Sequence, residues 1–207
     1  MKCNTRRARE DMVISAYQQI GLSILAYLDA SAGCVITDLC GYKRKRLQGM
    51  YDAVQDSIGY LMQRYGEGSA DCRERADHSV FYIKRQLREY ASFDFEAMTE
   101  ELLPVDEFPL SWHTRAEDSK HNTRTLLLSD MELVVQSYHG TILHWFWQEH
   151  GFGHDRLTRL YRLLREDYNL WVTEYLRCTA AGDKRIQEML SERQDRLEAL
   201  GMEFQEV

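Results

Sequence analysis

Gly41 to Tyr65 reads GYKRKRLQGMYDAVQDSIGYLMQRY, and Gly151 to Tyr175 reads GFGHDRLTRLYRLLREDYNLWVTEY. The two stretches align without a gap. Gly41 matches Gly151, Tyr42 matches Phe152, Arg46-Leu47 match Arg156-Leu157, and Met50-Tyr51 match Leu160-Tyr161. Further on, Val54 matches Leu164, Ile58 matches Tyr168 and Tyr65 matches Tyr175. In the first stretch Leu47, Met50, Tyr51, Val54, Ile58, Leu61, Met62 and Tyr65 fall on one face of a helix, because side chains three and four apart stack on the same side. Leu157, Leu160, Tyr161, Leu164, Tyr168, Trp171, Val172 and Tyr175 make the same face in the second. All amphipathic helices share that periodicity. The glycine-aromatic entry and the Arg-Leu pair at a fixed offset are what point to an internal duplication.

Upstream of each stretch the pattern predicts another helix, with Val13, Tyr17, Ile20, Ile24 and Tyr27 in one and Val134, Tyr138, Thr141, Ile142 and Trp145 in the other. Ser129-Asp130-Met131-Glu132 has the form of a capping box, which starts the second of these near Asp130 and runs it to Gln148. Asp29 to Cys40 then reads as an insert that lengthens the loop or adds a turn in the first copy. Downstream, third helices are predicted at about Ala70 to Tyr90, with Val80, Ile83, Leu87 and Tyr90 on one face, and from an N-cap at Asp183, with Ile186, Met189, Leu190, Leu197 and Leu200. The expected fold is all-α: two pseudo-repeated three-helix units packed into one helical body. Repeat 1 occupies residues 1–91, an acidic, proline-containing linker with short helical pieces occupies 92–128, and repeat 2 occupies 129–207.

The composition agrees. Only 2 prolines occur in 207 residues, Pro104 and Pro109, both in the linker, and helices exclude proline. The 5 cysteines form no C-x-x-C pair, so the expectation is reduced, mostly buried thiols and no structural zinc site. The basic start MKCNTRRARE lacks an apolar signal core. The longest greasy stretch, Ile20 to Leu28, is too short to cross a bilayer. A cytoplasmic protein without a membrane anchor is expected.

Thr141 to Glu166, TILHWFWQEHGFGHDRLTRLYRLLRE, resembles small proteins of phages and prophages of Gram-positive gut bacteria that carry a GFGxxRL helical corner. Gly151-Phe152-Gly153, Arg156-Leu157 and Tyr161 carry the likeness, which covers about the last third of the chain. In the first copy Lys43 replaces the second glycine, so that corner is expected to turn differently. The resemblance implies a mobile-element origin and assigns no chemistry. The motif itself reads as architectural: Gly151 and Gly153 turn the chain, Phe152 plugs the corner, and Arg156 snorkels or pairs with a carboxylate.

Three groups of residues attract a functional reading. His139, His144, His150 and His154 gather near the second corner with Glu149 and Asp155, but Gly151 and Gly153 interrupt the His150–His154 spacing, so no metal is expected. Lys43, Arg44, Lys45 and Arg46, with Arg6, Arg7 and Arg9, are candidates for phosphate contacts. Cations at a helix start are disfavoured by its dipole, which favours a role other than stability. From Glu89 to His113 there is no lysine or arginine, and Asp94, Glu96, Glu100, Glu101, Asp106 and Glu107 form an acidic strip able to imitate a nucleic-acid backbone. No phosphate loop, G-x-S-x-G, H-E-x-x-H or dinucleotide turn occurs, and Cys72 near His78 is weak evidence for a dyad. No catalytic residues, metal or cofactor are expected. The expected function is a phage-encoded accessory protein that binds a host defence complex, such as a CRISPR effector nuclease, through the acidic strip (an anti-CRISPR protein). The alternatives are a nucleic-acid-binding regulator using the basic corner, and a structural or assembly protein of the phage particle.

Overall fold

The two glycine corners set the course of the chain. In the computed structural model, which describes residues 22–67, 70–103, 121–176 and 180–203 (side chains excepted at 57–67, 70–78, 121–131, 176 and 180–183), all regular structure is α-helical. Helix α1 (Leu22–Cys40) turns at Gly41 into α2 (Arg44–Glu67), followed by α3 (Ala70–Ala91) and a single-turn α4 (Phe95–Thr99). Helix α5 (His121–His150) turns at Gly151 into α6 (His154–Leu176), followed by α7 (Ala180–Glu198). Gly41 has φ 66° and Gly151 has φ 60°, a left-handed conformation that costs little only without a Cβ. The Gly41 N–H donates to the Thr37 carbonyl at 2.8 Å, and the Gly151 N–H to that of Trp147 at 3.1 Å. The helix-terminating carbonyls are thereby satisfied. Gly153 is not left-handed and has open space around it, so the expectation that it helps the chain turn is corrected. That is why Lys43 can stand at the matching position without changing the corner.

Beyond the corners, α2 and α6 bury matching residues: Leu47, Met50, Tyr51 and Val54 in one, Leu157, Leu160, Tyr161 and Leu164 in the other. Ile58, Leu61, Met62 and Tyr65 lie outside the described side chains. Helix α5 is apolar around much of its circumference, with Val134, Val135, Tyr138, Ile142, Leu143 and Phe146 buried. Such a helix belongs in an interior, and it packs against α2, α3 and α6. Helix α1 takes a comparable place beside α6 and α7: the Tyr27 ring lies 5.9 Å from that of Trp171, and the Cys34 thiol reaches the Arg193 carbonyl at 3.6 Å. A division into two pseudo-repeated three-helix units is not confirmed. Helix α3 lies on α5 and α7 lies on α1, so each third helix packs on the first helix of the other half.

Several local readings are corrected. Asp29 to Cys40 is no loop insert but the second half of α1. Ala30, Ser31, Ala32 and Gly33 look like linker residues, yet all four are buried, because small side chains admit close neighbours. A Cβ at Gly33 would clash with the Tyr51 hydroxyl and meet Leu197 at 2.8 Å. The apolar run is therefore longer than Ile20 to Leu28: Leu22–Cys40 has the length and composition to cross a membrane, with mean hydropathy 1.4 and 56% buried inside the protein. The capping box at Ser129 lies within α5, which begins at His121. Glu132 accepts instead from Gln136 at 2.9 Å, one turn on. Asp183 is inside α7 rather than before it.

Polar groups also enter the interior. The Asp29 carboxylate accepts from the Tyr138 hydroxyl at 2.6 Å, while its carbonyl accepts from Tyr51 at 2.7 Å. Burial raises the Asp29 pKa to about 6, against the opposing effect of the Tyr138 bond. His139 is fully enclosed among Tyr138, Tyr161 and Tyr168, and burial lowers its pKa to about 3. These shifts act oppositely on stability. Asp29 takes up a proton more readily in the folded chain, so its contribution is lost as pH rises from about 4 to about 6. His139 takes one up less readily, so its contribution is lost as pH falls below about 6.5 towards 3.

Two predictions follow from this packing and polarity. Gly33→Ala should destabilise by about 1–3 kcal/mol through overpacking, whereas Gly49→Ala, where the nearest atom is 3.9 Å away, should stabilise by about 0.5–1 kcal/mol; urea midpoints distinguish them. Asp29→Asn should be more stable relative to the parent at pH 7 than at pH 4 by about 3 kcal/mol, since roughly 1.4 kcal/mol attaches to each pKa unit. Parallel stability–pH curves for the two proteins would overturn this.

Candidate functional site

One buried ring joins the two corners. Phe146, in the last turns of α5, lies 5.6 Å from Tyr42 of the first corner with the planes nearly parallel, and 4.7 Å from Phe152 of the second. His150 closes the cluster, 5.3 Å from Tyr42 and 4.4 Å from Trp145. Tyr42, Phe146 and Phe152 are buried, so Phe152 plugs its corner as its aromatic character predicts. Each of the two corner rings carries a cation: Arg46 lies over Tyr42 at 5.1 Å, and Arg156 over Phe152 at 5.0 Å. Arg156 therefore rests on an aromatic face and, among the described residues, pairs with no carboxylate, an arrangement worth roughly 0.5–1 kcal/mol at an exposed site.

The effect is to collect charge at one end. Lys43, Arg44, Lys45, Arg46, Arg156 and Arg159 are all exposed there. Arg44 has an exposed partner in Glu203 at 3.7 Å, and Glu149 and Asp155 are nearby in sequence. Among the described residues no carboxylate forms an ion pair with Lys43, Lys45, Arg46, Arg156 or Arg159. Helix α2 has no acidic residue in its first turn, so none of its own side chains offsets the positive end of its dipole. Neighbouring groups register these charges: burial and then Arg46 lower the His150 pKa against the opposing effect of Glu149, and Arg156 and Arg159 partly oppose the burial that raises Cys40. Arg6, Arg7 and Arg9 lie outside the described residues. Sequence reasoning had treated Arg156 as architecture and did not single out Arg159. The match of Arg46 to Arg156 was the available signal for a shared charged end.

Among the described residues, the acidic segment has basic side chains beside it. Asp94 is the N-cap of α4 and accepts from the Ala97 N–H at 3.2 Å. Glu101 pairs with Arg165, and its carbonyl accepts from Asn169 at 3.1 Å. Glu96 and Glu100 are exposed, while Asp106 and Glu107 lie outside the described residues. Asp94 and Glu96 also line a groove of about 620 Å³ that Lys84, Arg85, Arg88 and Glu89 of α3 line as well. The segment lacks lysine and arginine in sequence, but α3 and α6 bring those charges to it in space.

The histidines diverge. His139 is in the core, His144 lies against Tyr82 and Trp147, His150 packs on Trp145, and the His154 Nδ1 is 2.8 Å from the Ser92 carbonyl. Among the described residues no group of three or more His, Cys, Asp or Glu is arranged to hold a metal ion. Cys34 and Cys40 are free thiols; Cys3, Cys72 and Cys178 lie outside the described side chains. Helix α3 contributes a feature that sequence reasoning missed: Phe81, Tyr82 and Tyr90 are 66%, 55% and 65% exposed. Their periodicity signals a helix, and the expectation that Tyr90 shares the inward face of Val80, Ile83 and Leu87 is corrected.

No protein-family model matches the chain, and no curated protein or solved structure matches it either.

Because Phe146 joins both corners, Phe146→Ala should cost about 3–5 kcal/mol, read from thermal or urea unfolding. A loss below about 1 kcal/mol would mean that the corners do not depend on this ring.

Proposed function

We propose that this protein works by binding rather than catalysis, and that the end formed by its two corners engages a nucleic-acid backbone. The observation that supports the reading is the meeting of Arg156 and Arg159 with Lys43 to Arg46, exposed and largely without carboxylate partners among the described residues. The net charge of −7 does not oppose it. At 0.1 M salt charges are screened beyond about 10 Å, so a phosphate at this end responds mainly to local cations. The cations at this end outnumber its exposed carboxylates Glu149, Asp155 and Glu203, and Asp94 and Glu101 are engaged in local structure.

A second reading is retained because Phe81, Tyr82 and Tyr90 are the kind of exposed rings that anchor protein interfaces. In it the protein is a phage-encoded accessory factor in the host bacterial cytoplasm that inhibits a defence complex, such as a CRISPR effector nuclease, by direct contact. An unchanged rate of guide-directed cleavage on adding the protein to candidate effectors would reject that role.

The nucleic-acid reading is tested by fluorescence anisotropy with labelled oligonucleotides between 50 and 200 mM salt, taken as about the range where phosphate contacts dominate. The expected result is saturable binding that weakens with salt, the logarithmic slope changing by about 0.7–0.9 for each cation that contacts phosphate. The triple variant Lys43→Gln/Arg46→Gln/Arg156→Gln should bind weakly and with a shallower slope. Equal binding by parent and variant would remove this end as the working surface.

A further inference from the structure

We infer that the nucleic acid taken at this end is a single strand, whose bases stack on Tyr90 and Tyr82; this rests on the nucleic-acid reading above. Four rings form a row across α3 and α5. Tyr82 lies 6.4 Å from His144, His144 lies 5.4 Å from Trp147, and Trp147 lies 6.0 Å from Tyr90. The last pair is stacked, with only 16° between the planes. Trp147 is partly buried beneath it, whereas Tyr90 remains 65% exposed. A planar base placed on the free side of Tyr90 would extend a stack that already exists.

The row runs into the cationic end. Trp147 supplies the carbonyl that accepts from the Gly151 N–H, so the ring belongs to the last turn before the second corner. On α3, Tyr90 is two residues before Ser92, whose carbonyl is 2.8 Å from the His154 Nδ1, and His154 is two residues before Arg156. At no more than 3.8 Å between successive Cα atoms, the Cα atoms of Tyr90 and Arg156 are within roughly 25 Å of each other. The one carboxylate adjoining Tyr90 in the chain, Glu89, is held by Arg85 at 2.8 Å, which offsets its repulsion of a phosphate.

Cations that follow a backbone together with rings that accept base faces constitute the recognition chemistry of single strands. A duplex cannot use the rings, because its bases are stacked on one another and present only edges in the grooves. Stacking also tolerates any base, so little sequence preference is expected.

The test compares a fluorescein-labelled single-stranded DNA of mixed sequence with a hairpin duplex of the same nucleotide number, at fixed salt. The single strand should bind about tenfold more tightly. Tyr82→Ala/Tyr90→Ala should lower its affinity at least about fivefold, the low end for loss of one stacked base, while leaving the hairpin unchanged. Tyr82→Phe/Tyr90→Phe should retain the parent affinity because the rings remain. These are exposed positions, and an unchanged urea midpoint would verify that the variants fold. Equal affinity for hairpin and strand, or no loss in the alanine variant, overturns the single-strand inference while leaving the nucleic-acid reading in place. If neither oligonucleotide binds, both fall.

Discussion

The position of Phe146 between Tyr42 and Phe152 is the contact on which the remainder of the arrangement depends. A glycine corner only reverses the chain; it does not say where the next helix will lie. The ring at the end of α5 gives both corners a common surface, and full burial of each such side chain is worth roughly 1.5–3 kcal/mol. Edge and stacked geometries add something on the order of 0.5–1.5 kcal/mol per pair. Once the corners are side by side, α2 and α6 start from the same end, and their cations are brought together with them. Arg46 and Arg156 rest on ring faces, and among the described residues no carboxylate forms an ion pair with either.

The polar interior has a different role. The Arg193 guanidinium donates to Asp167 at 3.2 Å, Tyr27 donates to the same carboxylate at 3.0 Å, and Arg193 also lies over the Tyr27 ring at 4.9 Å. Helices α1, α6 and α7 meet there. A buried ion pair adds little net stability compared with apolar packing, but removing one partner leaves a charge stranded. This cluster therefore selects one packing of α7 on α1 over sliding alternatives. Asp29 with Tyr138 and Tyr51 performs the same service where α1, α2 and α5 converge, at a cost that the raised Asp29 pKa records.

Local readings failed where packing outweighed local signals. Ser129 to Glu132 has a capping sequence, but a helix continues through it because the side chains that follow, from Leu133 to Phe146, are taken up by neighbouring helices. Ala30 to Gly33 resembles a linker, but the small residues are required where Tyr51 and Leu197 approach. Tyr90 looked apolar enough for the core, yet its place on the helix puts it at the edge, against Trp147. In each case the residue type was read correctly and the neighbour was unknown.

By itself the sequence determined that the chain is helical, where α2, α3 and α6 lie to within a few residues, which of their faces are apolar, and that Gly41 and Gly151 turn the chain. These follow from φ preferences and from a period of about 3.6 residues, both of which act over a few neighbours along the chain. It also showed Lys43 to Arg46 as a cluster, because those residues are consecutive. Tertiary structure alone decided that Arg156 and Arg159 share their end, that Lys84 to Arg88 and Arg165 stand against the acidic segment, and that Tyr82 and Tyr90 remain in solvent. Which helix covers which face depends on side chains more than a hundred positions apart, such as Tyr27 and Asp167, and no local pattern carries that information.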